Sequence, residues 1–106
     1  MNIALILLIV ANVSTTHKWC MYGECPSGVL RYNCEDFTHD AVLLLRKNNV
    51  TSFPLCGSYA YGEEHAWVGV EYNHTLYNIE PQTDRIVYPN STNYMRGHVC
   101  AVRGLV

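Results

Sequence analysis

Apolar residues are spaced in three different ways along this 106-residue chain. Residues 3–13 form an apolar run interrupted only by Asn12. Phe37, Ala41, Leu44 and Leu45 then recur at helical spacing. The helix they predict runs over residues 34–47. Asn33 is a good N-cap, Asp36 three residues later approaches a capping box, and Asn48 and Asn49 tolerate the left-handed backbone that ends a helix. From residue 51 the rhythm becomes that of strands. Residues 51–61 read as a first strand, with Pro54 suggesting an edge position near its start. Residues 65–72 alternate between two faces, Asn73 and His74 turn the chain, and residues 75–80 return as the partner strand. Residues 85–88 and 98–102 read as two further short strands. Residues 17–32 are irregular, with a turn at Pro26, Ser27 and Gly28. No repeat or linker divides residues 17–106, which read as one domain.

The hairpin carries a consequence for chemistry. With Asn73 and His74 as the loop, Tyr72 faces Thr75, so Trp67 lies opposite Glu80 and His65 sits diagonally on the same face. A register shifted by two puts His65 directly opposite Glu80. Both place imidazole and carboxylate on one face. A slip of one residue separates them unless a bulge intervenes.

Cys34 opens the predicted helix, and a thiol in a helix's first turn feels the positive end of the dipole, which favours the nucleophilic thiolate. Cys34, His65 and Glu80 therefore appear in a workable order as nucleophile, base and orienting carboxylate. Taken alone, Cys34 reads equally well as a buried small hydrophobe; the two partners tip the reading towards catalysis. Asp36 reads as a cap, His39 as a packed or solvated residue off the Cys34 face, and His17, His74 and His98 as singletons. Glu63 and Glu64 read as a solvated turn or as a cleft rim that senses substrate charge. A zinc site is the rival constellation, but no C-x₂-C pair exists and Cys20-x₄-Cys25 lacks a matching second pair, so neither a metal nor a cofactor is expected.

Composition narrows the partners and the compartment. A net charge of −2 without a basic stripe argues against nucleic acid. The apolar run at residues 3–13 is shorter than the roughly 20 residues of a membrane span but suits the core of a signal peptide, with Ala11 and Ser14 as cleavage positions. No Lys or Arg precedes it; the first cation is Lys18. Residues 1–16 are thus expected to be a signal peptide or an N-terminal hydrophobic segment, the alternatives being a short helix packed on the domain or an uncleaved anchor, the one route to a membrane. Five cysteines fit export, secreted or periplasmic, better than the cytoplasm: four pair in an oxidising compartment and one remains. Cys20 with Cys25 and Cys56 with Cys100 is one of several pairings, and it leaves Cys34 free. Four N-x-S/T sequons, at Asn12, Asn49, Asn73 and Asn90, have meaning only in a glycosylating host.

The run Cys34-Glu35-Asp36-Phe37-Thr38-His39-Asp40-Ala41-Val42-Leu43-Leu44-Leu45-Arg46 resembles the nucleophile helix of the transglutaminase-like superfamily. Cys56-Gly57-Ser58-Tyr59 resembles its next strand, His65-Ala66-Trp67-Val68-Gly69-Val70 its histidine strand, and Tyr77-Asn78-Ile79-Glu80-Pro81 the segment of the third catalytic residue. Together these cover about half the chain, residues 33–87, in order. The resemblance implies an α+β, papain-like core in which one cysteine-bearing helix packs on an antiparallel sheet. It also implies acyl transfer through a thioester, ending in hydrolysis or transamidation of a peptide or protein substrate, with Cys34 as nucleophile, His65 as base and Glu80 as orienting residue. The family usually has Asp where this chain has Glu80, whose extra methylene still allows it to accept the imidazole N–H. Little chain precedes the helix to build a cleft. The expected oxyanion donors are the Cys34 backbone N–H and either Trp19 or Asn33. Trp67 and Tyr59 are cleft candidates, Trp67 reading first as core or as a ring beside the imidazole. The reading from a different class is a non-catalytic, disulfide-stapled binding module on the same fold.

Overall fold

In the computed structural model, α1 (Ile3–Thr16) and α2 (Cys34–Lys47) precede β1 (Ser52–Ser58), β2 (Glu64–Tyr72), β3 (Thr75–Glu80), β4 (Arg85–Val87) and β5 (His98–Val99). It describes residues 2–21, 23–26, 28, 31–58, 64–83, 85–87 and 97–106. The fold is α+β: two helices pack against an antiparallel sheet of order β4-β3-β2-β1-β5.

α2 has the predicted bounds because its local signals agree. The Asn33 side chain accepts from the Glu35 N–H at 3.0 Å, and Asp36 accepts from the Asn33 N–H at 2.9 Å, closing a capping box. Glu35 and Asp36 occupy the first turn and Arg46 and Lys47 the last, matching the helix dipole. Phe37, Ala41, Val42 and Leu45 point into the core, and Asn49 leaves the helix with φ 62°. α1 lacks charges at both ends and depends more on packing. Ile6, Val10 and Val13 form its buried stripe and join Phe37, Ala41, Val42 and Leu45 of α2 in one cluster. The apolar run thus forms a helix whose buried stripe packs on α2. Among the described residues, no helix is long and apolar enough to cross a membrane.

The sheet is organised by the β2–β3 hairpin. Asn73 and His74 both take positive φ, 53° and 62°, as a two-residue hairpin turn requires. Tyr72 consequently pairs with Thr75, and the ladder runs on to Val68 opposite Ile79, which is the register that a loop of Asn73 and His74 sets. Val68, Val70 and Ile79 face the helices. β2 is buried on both faces from His65 to Val70, so its alternation separates two interiors rather than core from solvent. Gly69 permits this: a Cβ there would stand 2.6 Å from the Phe53 ring of β1.

The structure refines two strand expectations. β1 lies inside the sheet at Leu55 and Cys56, where β5 pairs with it, whereas its start, with Pro54, lies beyond the β5 ladder. Cys100 N–H donates to the Pro54 carbonyl at 3.2 Å, so the proline's missing N–H faces the side where the short β5 ladder ends. The strand expected over residues 98–102 stops at Val99. Arg103 and Gly104, with φ 50° and 81°, fold the tail so that Val102 and Leu105 pair. Residues 59–61 and Tyr88, read as strand ends, lie outside the described residues.

The described residues between α1 and α2 form no helix or strand, as expected, and are held in place; Ser27 of the expected turn lies outside the described residues. Cys20 and Tyr32 pair through their backbones, and Cys20 bonds to Cys25. The Tyr32 ring stacks on His17 and its hydroxyl donates to Asp40 at 2.6 Å. Burial, reinforced by Asp40, pushes the phenol well above its ordinary pKa. A second disulfide joins Cys56 to Cys100, and Cys34 is the free cysteine. Two disulfides point to an oxidising, exported compartment.

Candidate active site

Asp36 does more than cap α2. It is buried, and it draws in Arg31 from the preceding segment at 3.7 Å and Arg103 from the tail at 3.0 Å. Two guanidiniums and the cap thus hold the first turn, and Cys34 is its first residue. The Cys34 N–H is one of the first-turn donors that no carbonyl of its own helix reaches.

β2 and β3 supply the partners. The hairpin register sets His65 and Glu80 on one face, and the imidazole Nε2 lies 3.0 and 3.2 Å from the two carboxylate oxygens. Both side chains are only 8% exposed. Gln82 donates a further hydrogen bond to Glu80 at 3.3 Å. His65 also hydrogen-bonds with Cys34, and with Nε2 on Glu80 its Nδ1 is the nitrogen left for the thiol. Burial acts to lower the His65 pKa, but the hydrogen bonds to Cys34 and Glu80, with their charges, outweigh it and raise it from 6.5 to about 9. At neutral pH the site therefore holds an imidazolium, with both N–H groups donating, between a carboxylate and a cysteine.

Trp67 is fully buried and backs this pair. Its ring centroid is 6.0 Å from that of His65, with the planes 23° apart, and its indole N–H donates to Asn78 at 3.0 Å. Gly97 allows the backbone to press on the outer edge of the indole, since a Cβ there would clash with the ring.

A cavity of about 320 Å³ opens beside the pair. Its walls are Cys34 and Glu35 of α2, residues 56–58 of β1, residues 64–66 of β2, and His98 and Cys100. Glu64, read as a turn or rim residue, lines it; Glu63 and the cleft candidate Tyr59 lie outside the described residues. Trp67 is not among the wall residues. Asn33 is engaged elsewhere: its carbonyl oxygen caps α2 and its amide contacts the Met21 sulfur at 3.9 Å. Trp19 is 48% exposed and lines a separate hollow with Lys18, Glu24 and the Cys20–Cys25 bridge. Cys34, His65 and Glu80 are thus brought together, while Trp19 and Asn33 have other surroundings.

Sequence reasoning missed three parts of the wall. Glu35 had a signal, being the next residue of the helix N-terminus. The Cys56–Cys100 bridge was foreseen as a staple, not as a surface of the cavity. His98 carried no local signal; only the pairing of β5 with β1 brings it there. No family model, curated protein or solved structure matches this chain.

Proposed function

We propose that this protein is a cysteine-dependent amide acyl-transfer enzyme, a peptidase or transglutaminase-like hydrolase on a small papain-like core. The observation that carries the reading is the buried His65, hydrogen-bonded both to Glu80 and to Cys34. The cavity against Cys34 supplies room for an extended acyl substrate.

In this mechanism the Cys34 sulfur, as the thiolate of a pair with the His65 imidazolium, attacks the carbonyl carbon of a peptide or protein amide. The oxyanion that forms is held by the Cys34 backbone N–H. His65 passes its proton to the departing amine as the C–N bond breaks, leaving a thioester on Cys34. Water then attacks the thioester while His65 takes its proton, and the acid and the thiolate separate. Glu80 keeps the imidazole oriented and balances its charge through both steps. Positioned proton transfer of this kind contributes about 10²- to 10⁴-fold. Hydrolysis is favoured over transamidation because a cavity of about 320 Å³ leaves little wall for a second, amine-donor site.

The test is iodoacetamide labelling of the native, non-reduced protein from pH 5 to 8, read by mass spectrometry. Rapid labelling of Cys34 alone, still fast at pH 6, supports the nucleophile. Labelling no faster than that of an ordinary thiol of pKa about 8.5 removes it. The fold would then be read as a disulfide-stapled binding module, in which Cys34→Ala leaves the biological effect unchanged.

A further inference from the structure

The free thiol and the larger disulfide share one chamber. Cys34, Cys56 and Cys100 all line the cavity that holds His65. The Cys20–Cys25 bridge does not; it lines the separate hollow with Lys18 and Trp19. A cysteine paired with an imidazolium is a nucleophile towards sulfur as much as towards carbonyl carbon. A disulfide, the electrophile such a thiol attacks, is therefore a wall of its own site.

We propose that the cavity is also a thiol–disulfide exchange site, in which Cys34 attacks the Cys56–Cys100 bond and is stored as a Cys34–Cys56 disulfide. The inference rests on the reading of Cys34 as a nucleophile activated by His65. The Cys34 Sγ–Cys56 Sγ bond forms as the Cys56 Sγ–Cys100 Sγ bond breaks. The bonding pair leaves on the Cys100 sulfur, which takes a proton from solvent. One disulfide is consumed and one formed, so no external oxidant or reductant enters the balance.

The architecture selects which sulfur leaves. Cys56 belongs to β1, which is paired along its length with β2 and packs against α2, the helix that carries Cys34. A Cys34–Cys56 bond links two elements already in contact. Cys100 follows β5, a strand of two exposed residues that among the described residues pairs with Leu55 and Cys56 alone, and its own N–H adds one bond to Pro54, so its departure disturbs little structure. The tail does not drift away once released. Val102 is 1% exposed, Arg103 reaches Asp36 at 3.0 Å, and the Val106 carbonyl accepts from Arg46 at 2.7 Å. The freed Cys100 thiol thus remains beside Cys56, where its thiolate attacks the new bond and regenerates the Cys34 nucleophile. The protein passes between an active and a masked form without a change in its total number of disulfides.

Disulfide mapping tests this. Native protein is held at pH 8 without reductant, quenched in acid, alkylated and digested without reduction for mass spectrometry. A peptide pair joined through Cys34 and Cys56, together with alkylated Cys100 and an intact Cys20–Cys25 bridge, is the expected result. In the Cys34→Ala variant, alkylation of Cys100 falls to background. If Cys34 labels rapidly at pH 6 yet Cys100 is never alkylated, the exchange is overturned while the nucleophile stands. Slow labelling of Cys34 with no Cys34–Cys56 peptide overturns both. Alkylation of Cys100 that persists in Cys34→Ala also overturns the exchange, since another route then opens the bridge.

Discussion

The two ends of the β2–β3 hairpin share the same strands and register, yet they differ in kind. At the turn end, Asn73 and His74 are exposed, and a hollow of about 480 Å³ is lined by Thr51, Glu71 and residues 73–76. At the other end, His65 and Glu80 are buried against each other beside a smaller cavity of about 320 Å³. Volume does not separate the two. What separates them is a charged pair taken out of water and a cysteine brought to it by the start of α2. The turn end contributes register alone, and the opposite end turns that register into a site.

The sharpest break of this contrast is Cys34→Ala, which is expected to lower acyl transfer by about 10³-fold or more, whereas His74→Ala at the turn end leaves kcat/KM unchanged. Equal losses for the two variants would remove the distinction. Glu80→Gln comes next. It leaves His65 buried without a carboxylate, and breaking such a pair costs about 3 kcal/mol; urea unfolding measures that cost. The Cys34 alkylation rate at pH 6 should fall with it, because the imidazolium that pairs with the thiolate loses its counter-charge.

Stability should also respond to pH through the same histidine. The folded protein raises the His65 pKa from 6.5 to about 9, so it binds the proton more tightly than the unfolded chain does. The contribution is fully present below pH 6.5 and is lost as pH rises through about 9. It is of the order of 3 kcal/mol, seen as a falling Tm between those values. Glu80→Gln should flatten the slope; an unchanged slope would mean that another group titrates. The smallest effect lies at the turn end. His74 holds φ 62°, where glycine is unstrained, so His74→Gly should stabilise the protein by about 0.5 kcal/mol. Cys34 labelling should not change in that variant.

Much of the site could be read before any tertiary structure, for reasons that differ by residue. The bounds of α2 follow from Asn33, Asp36 and Asn49, whose effects reach only three or four residues. The relation of His65 to Glu80 follows from a two-residue turn and the strict period of strands. Trp67 was legible as a ring beside the imidazole, but not that Gly97 presses on it. The association of Cys34 with that pair was legible only as a motif in the right order. Trp19 and Asn33 show the limit of such reasoning: both precede Cys34 in the chain, yet one faces another hollow and the other is engaged in the cap.

By itself, then, the sequence pointed to what local geometry controls: the capped helix with Cys34 as its first residue, the turn at Asn73 and His74 and, given that turn, a shared face for His65 and Glu80, which the observed register realises. The tertiary structure decided how distant segments meet. It laid α1 on α2, drew Arg31 and Arg103 onto Asp36, and set β5 beside β1 so that His98 and the Cys56–Cys100 bridge became walls of the cavity. The reason is physical: caps, turns and alternation act through bonds a few residues apart, whereas burial and long-range pairing depend on the whole core closing at once.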